Sequence, residues 1–243
     1  MIMVSLAAAS VAGAQDAPTT YIMGTYYQCV QGDAARADAI YKEHTAPLLK
    51  TEQAAGRITA YGYAKHWQGG EWRRLEYVTG TDLSKLTDSR MALIKAGQAP
   101  EHAKAMDEFD RICSSHDDYI WSSKASSQAP DAVARVRAPF ALSTYYVCSS
   151  DEDEADAIVK TAYAPVLNQD VKDGKIVSWN WLEHRLGGKY RRVMVLDAAS
   201  EKAALNYWAN LNTALEKAQP EFNRRFSQIC SSHTDYIWDF SGN

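Results

Sequence analysis

Residues 21–29 form a Tyr- and Thr-rich run with few charges, a pattern that reads as a strand. From 33 to 54 the pattern changes to helical spacing, rich in Ala, Glu and Lys, and it stops at Gly56. Strand-like alternation follows over 57–67 and 72–79. Between those runs Gln68-Gly69-Gly70-Glu71 is a glycine-bearing hairpin signal. Residues 82–98 and 101–113 are again helical, with Pro100 at the first position of the second piece, and 118–123 reads as a closing strand.

The same order then repeats. Thr25-Tyr26-Tyr27-Gln28-Cys29 returns as Thr144-Tyr145-Tyr146-Val147-Cys148, and Gly69-Gly70-Glu71-Trp72-Arg73-Arg74 as Gly187-Gly188-Lys189-Tyr190-Arg191-Arg192. Cys113-Ser114-Ser115-His116 returns as Cys230-Ser231-Ser232-His233, and Asp118-Tyr119-Ile120-Trp121 as Asp235-Tyr236-Ile237-Trp238. Such self-similarity marks a tandem duplication. The expected organisation is a first repeat over 20–123, a Ser-, Ala- and Pro-rich linker over 124–138, and a second repeat over 139–240.

Each copy runs β-α-β-β-α-β, an α+β order of ferredoxin-like type. A lone sheet with both helices on one face leaves the other face bare, and that face needs a cover. In the second strand of copy one, Tyr61, Tyr63, Lys65 and Trp67 occupy one side, and Ile58, Ala60, Gly62 and Ala64 the other. In copy two, Val177, Trp179, Trp181 and Glu183 stand against Ile176, Ser178, Asn180 and Leu182. The small side suits close packing under helices, so the aromatic side is expected to meet the opposite copy. With this element order and duplication the chain resembles the dimeric α/β-barrel superfamily, with two ferredoxin-like units packed sheet to sheet as a fused pseudo-dimer.

The resemblance sorts the four cysteines. The first and fourth strands of each unit are antiparallel neighbours in that order, so the end of one meets the start of the other. The expected bridges are Cys29–Cys113 and Cys148–Cys230. Each closes a loop of about 80 residues, which contributes on the order of 4 kcal/mol in the chain-entropy model. Disulfides imply an oxidising compartment. Residues 1–14 are uncharged and end in Ala12-Gly13-Ala14, like the end of a secretory signal peptide. The expected location is therefore exported, periplasmic or secreted. The alternative for the cysteines is four buried thiols.

At 243 residues, 46% hydrophobic and 23% charged, the composition is that of a globular chain. A net charge of -4 suggests neither a nucleic-acid partner nor a polybasic membrane patch. No apolar run reaches the roughly 18 residues of a membrane span. The isolated cysteines lack zinc spacing, and the expected metal and cofactor content is none.

His44 is the leading candidate for chemistry. It lies in Tyr41-Lys42-Glu43-His44-Thr45-Ala46-Pro47-Leu48, and copy two keeps the Ala-Pro frame but has Ala162 at its place. The Tyr-x-x-His-x-x-Pro-Leu pattern resembles the helix motif of the EthD-like branch of the superfamily. That branch is associated with small-molecule degradation, and its relatives include cofactor-free monooxygenases, lactone isomerases, polyketide cyclases and haem-binding enzymes. A histidine near neutral pKa serves as a general base without metal. His66 is its expected partner. Tyr61, Tyr63, Trp72, Trp179 and Trp181 are expected to line the chamber, and Arg74 and Arg192 to anchor a carboxylate or enolate. The plainer alternative is that the aromatics are core and the arginines are paired to Glu76 or Glu183. His66 and His184 are repeat equivalents, as are His116 and His233, which suits structural duties such as helix capping. His102 has charged neighbours and reads as exposed. The acidic run Asp151–Glu154 favours a helix N-terminus. The functional expectation is a binding protein for a small apolar or aromatic ligand, with a cofactor-independent monooxygenase, isomerase or cyclase activity resting on His44. The alternative is a non-catalytic binding or structural scaffold.

Overall fold

The computed structural model describes residues 19–127 and 138–242. The signal-peptide stretch 1–14 and most of the expected linker lie outside the described residues. The elements are β1 (Tyr21–Gln28), α1 (Ala34–Ile40), α2 (Ala46–Ala54), β2 (Ala60–Gly69), β3 (Arg74–Gly80), α3 (Leu83–Gly97), α4 (Pro100–Ile112) and β4 (Ser115–Ser126). The second half follows with β5 (Phe140–Val147), α5 (Glu152–Ile158), α6 (Ala164–Lys172), β6 (Ser178–Leu186), β7 (Arg192–Ala198), α7 (Glu201–Ala218), α8 (Pro220–Ile229) and β8 (Ser232–Asp239). β4 runs three residues past the expected end at 123, because Ala125 and Ser126 pair with Trp181 and Asn180 of β6.

α1 and α2 form one continuous helix, joined by a π-helical turn at Tyr41–Thr45, and Val159–Tyr163 joins α5 to α6 in the same way. Pro47 and Pro165 explain the turns. A proline lacks the N–H for an i→i−4 bond and crowds the carbonyl four residues back, and a widened turn relieves both. The His44 motif sits in this turn.

Eight antiparallel strands close a barrel in the order β1-β3-β2-β8-β5-β7-β6-β4. Within each half the order is fourth, first, third, second. The halves join edge to edge, with Lys65 opposite Asp239 and Trp121 opposite His184. The outer strands therefore keep no unpaired edge. The two halves are joined by ladder hydrogen bonds as well as by the contact between their inner faces.

The inner face is the opposite of the one the residue sizes suggested. Ala64 and Leu182 point into the barrel, with Tyr26, Trp72, Tyr119, Trp121, Tyr145, Tyr190, Tyr236 and Trp238. Tyr63 packs against Tyr41 and Leu49, and Trp179 and Trp181 pack into the helix-side core of the second half. Two physical features decide this. Tyr63 Oη donates to Asp38 of α1, Trp179 Nε1 to Asn168 of α6, and Trp181 Nε1 to Asp156 of α5, so the polar tips of these rings need the helices. The inner face of β2 must also be small, because a Cβ on Gly62 would lie 2.5 Å from the Tyr77 ring.

Both disulfides form as expected, Cys29–Cys113 and Cys148–Cys230, each tying the end of one strand to the start of its neighbour.

Candidate functional site

The expected catalytic pair is not brought together. The His66 ring meets Tyr236 and Trp238 on the barrel side of the sheet. The His44 ring meets His102 of α4 on the helix side, with Nδ1 to Nδ1 at 3.0 Å. Two such nitrogens hydrogen-bond only if one donates and the other accepts. His102 is thus the partner of His44, in place of solvent.

His66 and His184 pin their own hairpins. His66 Nε2 lies 3.3 Å from the Gly69 carbonyl, which only accepts, so it is the protonated nitrogen. His184 Nδ1 accepts from Arg191 at 2.8 Å, which places the proton of its neutral ring on Nε2. Burial lowers the pKa of both rings, and neighbouring arginines add to the effect.

The arginines expected in the chamber are held elsewhere. Arg74 pairs with Asp38 through Nε at 2.5 Å and Nη2 at 3.0 Å. Arg192, 2% exposed, pairs with Asp156 at 2.7 and 3.0 Å and with Glu152 at 2.8 Å. The parity carried from Trp72 to Arg74 fails because residues 71–73 leave the ladder: Trp72 is inside the barrel, and Arg74 faces the helices. Of the expected chamber residues, Trp72 alone has its ring in the barrel cluster; Tyr61, Tyr63, Trp179 and Trp181 lie on the helix side.

A different group of residues does converge. On the helix face of the first half, strand pairing sets Tyr63, Glu76, Thr25 and Asp118 in one row across β2, β3, β1 and β4. Above the row a cleft of about 430 Å³ opens between the sheet, α3 and α4, lined by Tyr27, Glu76 and Arg90 with Leu93, Ile94 and Phe109. Arg90 spans the row. Its Nη1 lies 3.9 Å from Glu76 Oε1 and donates to Thr25 Oγ1 at 3.3 Å, and its Nη2 lies 3.8 Å from Asp118. Thr25 Oγ1 in turn donates to Asp118 at 2.7 Å.

Glu76 is buried, and burial pushes its carboxyl above the usual range; Arg90 pulls it back only in part, and Asp118 adds to the rise. Burial, with Glu76 next, also raises the Tyr27 hydroxyl well above its ordinary value. A buried carboxyl of raised pKa beside a fixed guanidinium is the arrangement of an acid–base group next to an anion holder. The second half lacks it. The corresponding row is Trp181, Met194, Thr144 and Asp235, and Trp208 stands where Arg90 does, donating to Asp235 at 3.0 Å. The signal was present in the repeat, since Glu76 against Met194 and Arg90 against Trp208 break the symmetry as clearly as His44 against Ala162.

No protein-family model matches the sequence, and no curated protein does. Solved structures do match. An anthrone oxidase-like protein aligns over 94% of this chain and 95% of its own, with TM-score 0.56 and 10% identity. A proposed monooxygenase from Lactobacillus acidophilus aligns over 90% and 93%, with TM-score 0.53 and 10% identity. A mutant chlorite dismutase from Candidatus Nitrospira defluvii aligns over 90% of each chain, with TM-score 0.55 and 11% identity. What this chain shares with them is the fold, a closed eight-stranded antiparallel barrel with helices packed outside it.

Proposed function

We propose that this protein binds an apolar or aromatic small molecule in the helix–sheet cleft of its first half and acts on it by proton transfer. Glu76 is the acid–base group, and Arg90 steadies the oxyanion or enolate that forms. The observation that carries this reading is the buried Glu76 carboxyl of raised pKa in a cleft whose counterpart has Met194. The step is removal of a proton next to a carbonyl or phenol: the proton passes to the Glu76 carboxylate, and the electron pair moves onto the oxygen facing Arg90. An isomerase, a cyclase and a cofactor-free monooxygenase can each begin in this way. The likeness to an anthrone oxidase-like protein and a proposed monooxygenase supports the class of chemistry. Thr45, the neighbour of His44 in the chain, lines the cleft and His44 does not; the EthD-like role that His44 suggested passes to Glu76 in this reading. Export belongs to the same proposal and is supported by the two disulfides and the Ala-Gly-Ala pattern.

The test is solvent deuterium uptake into a panel of aromatic ketones and anthrone-type phenols, followed by NMR with wild type and Glu76→Gln. Loss of an acid–base group costs about 10²–10⁴-fold in rate. A fall of that size on at least one compound supports the reading. Equal rates in the two proteins, or uptake that disappears only with His44→Ala, overturns it.

A further inference from the structure

The barrel interior is asymmetric in a way the cleft chemistry does not use. At mid-depth the first half places Gly62, Tyr77 and Gly24 in one row across β2, β3 and β1, and the second half places Asn180, Val195 and Ser143 in the matching row across β6, β7 and β5. In the first half the Tyr77 ring fills the space over Gly62 and touches Phe240. In the second half Val195 is smaller than Tyr77, and Ser123 of β4 is the repeat equivalent of Phe240, which directly follows β8. A cavity of about 220 Å³ remains in the barrel, lined from the second half by Leu182, Val193, Val195 and Asp197 and from the first by Ile22, Tyr77 and Thr79. That exceeds the ~150 Å³ of an engineered apolar cavity that holds benzene.

Asp197 gives the cavity a chemical preference. Its Oδ2 accepts from Ser178 Oγ at 2.5 Å. Its Oδ1 is buried and has no hydrogen-bond partner among the described residues. No lysine, arginine or histidine pairs with it among them either, whereas the first half has Thr79 at this place. A buried carboxylate oxygen without a partner is costly to leave so, and a cationic donor is its strongest complement.

We propose that this cavity is a second binding site, for a compact primary amine with an apolar, ring-sized body. The ammonium donates to Asp197 Oδ1, and the body rests on Leu182, Val193 and Val195. The site is separate from the Glu76 cleft, from which the sheet divides it.

Calorimetric titration of the full chain at neutral pH with benzylamine, and in parallel with benzyl alcohol, tests this. Benzylamine is expected to bind once per chain, about tenfold or more tighter than the alcohol, as a charge-assisted pair requires. Asp197→Asn should remove that preference. The double variant Val195→Tyr with Asn180→Gly copies the Tyr77–Gly62 arrangement into the second half, so it should abolish binding of both probes while circular dichroism still shows the native fold. Glu76→Gln should leave benzylamine affinity unchanged, which separates this site from the catalytic reading. No binding of benzylamine at millimolar concentration, equal affinity for the two probes, or affinity that survives both Asp197→Asn and the filled cavity would each overturn the proposal.

Discussion

Tyr236 of the second half closes the hairpin of the first: its hydroxyl accepts the backbone N–H of Glu71 at 3.0 Å and that of Trp72 at 3.4 Å. Tyr119 does the same for the second half, taking the backbone N–H groups of Lys189 and Tyr190. The repeated Gly-Gly pairs make room for these rings. A Cβ on Gly70 would lie 2.3 Å from Tyr236 Oη, and one on Gly188 2.5 Å from Tyr119 Oη. Each half thus carries the seal for the other, and the glycines of the hairpin are set by the approach of the opposite half.

Tyr236→Phe should therefore loosen a contact between halves. It leaves the buried Trp72 amide and the part-buried Glu71 amide without their acceptor, which costs about 1–3 kcal/mol. Urea unfolding should show the loss, and hydrogen exchange should rise at Glu71 and Trp72 ahead of the strands. Unchanged exchange at those two amides would contradict the seal.

The buried ion pairs under the helices should matter more than the exposed ones. Removing Asp156 leaves the buried guanidinium of Arg192 with Glu152 as its one remaining carboxylate partner, and the full cost of breaking a buried pair, about 3–5 kcal/mol, is the upper limit of the loss. For the carboxyl of Asp156, burial opposes the charge, but hydrogen bonds from Arg192 and Trp181 outweigh it and hold the pKa below the usual value. A depressed carboxyl stabilises the fold above its unfolded pKa and loses that effect as pH falls through the folded one. The gap between wild type and Asp156→Asn, measured by denaturant titration, should hence be wide at neutral pH and narrow towards pH 2. For Arg224 and Glu221, both exposed, the corresponding substitution should be nearly silent.

Glu76 has the opposite sign. A carboxyl raised in the folded state favours folding below its unfolded pKa, and that contribution disappears as pH rises through the folded pKa. Glu76→Gln should therefore gain stability relative to wild type between about pH 4.5 and neutrality, the lower bound being the ordinary carboxylate value. Unfolding free energies at pH 4.5 and pH 8 decide it; a Gln variant that loses ground as pH rises would show that Arg90 dominates the site.

The histidines divide in the same manner. His66 and His184 are lowered by burial, so they favour folding above the unfolded value near 6.5 and count against it as pH falls through that value. His233 is raised by its hydrogen bond to Asp235, so its contribution is full below about 6.5 and is lost as pH rises through its folded pKa. Melting curves at pH 5 and 8 should show His66→Gln with its larger relative gain at pH 5, and His233→Gln with its larger loss there.

Cys29→Ser with Cys113→Ser opens a loop spanning 84 residues. The chain-entropy value is about 4 kcal/mol, and chemical denaturation of the double variant against wild type should show a loss of that order. A variant as stable as the oxidised wild type would mean that the β1–β4 ladder alone fixes this corner.

The amino-acid order alone determined the duplication and the alternation of strands and helices, because these rest on local periodicity; the cysteine pairing followed only once the family resemblance supplied which strands are neighbours. The face of each strand was not legible. Alternation separates two sides, but both sides of these strands are buried, one under helices and one in the barrel, so hydrophobicity does not say which is inward. Tyr63 and Trp181 read as barrel residues until Asp38 and Asp156 were placed beside their polar tips. The row of Glu76, Thr25 and Asp118 depended on register between strands far apart in sequence, and Arg90 reaches it from a helix. The sequence shows where the two halves differ; the tertiary structure decided which differences face a cavity, because only closure of the sheet turns a position along a strand into a place inside or outside the barrel.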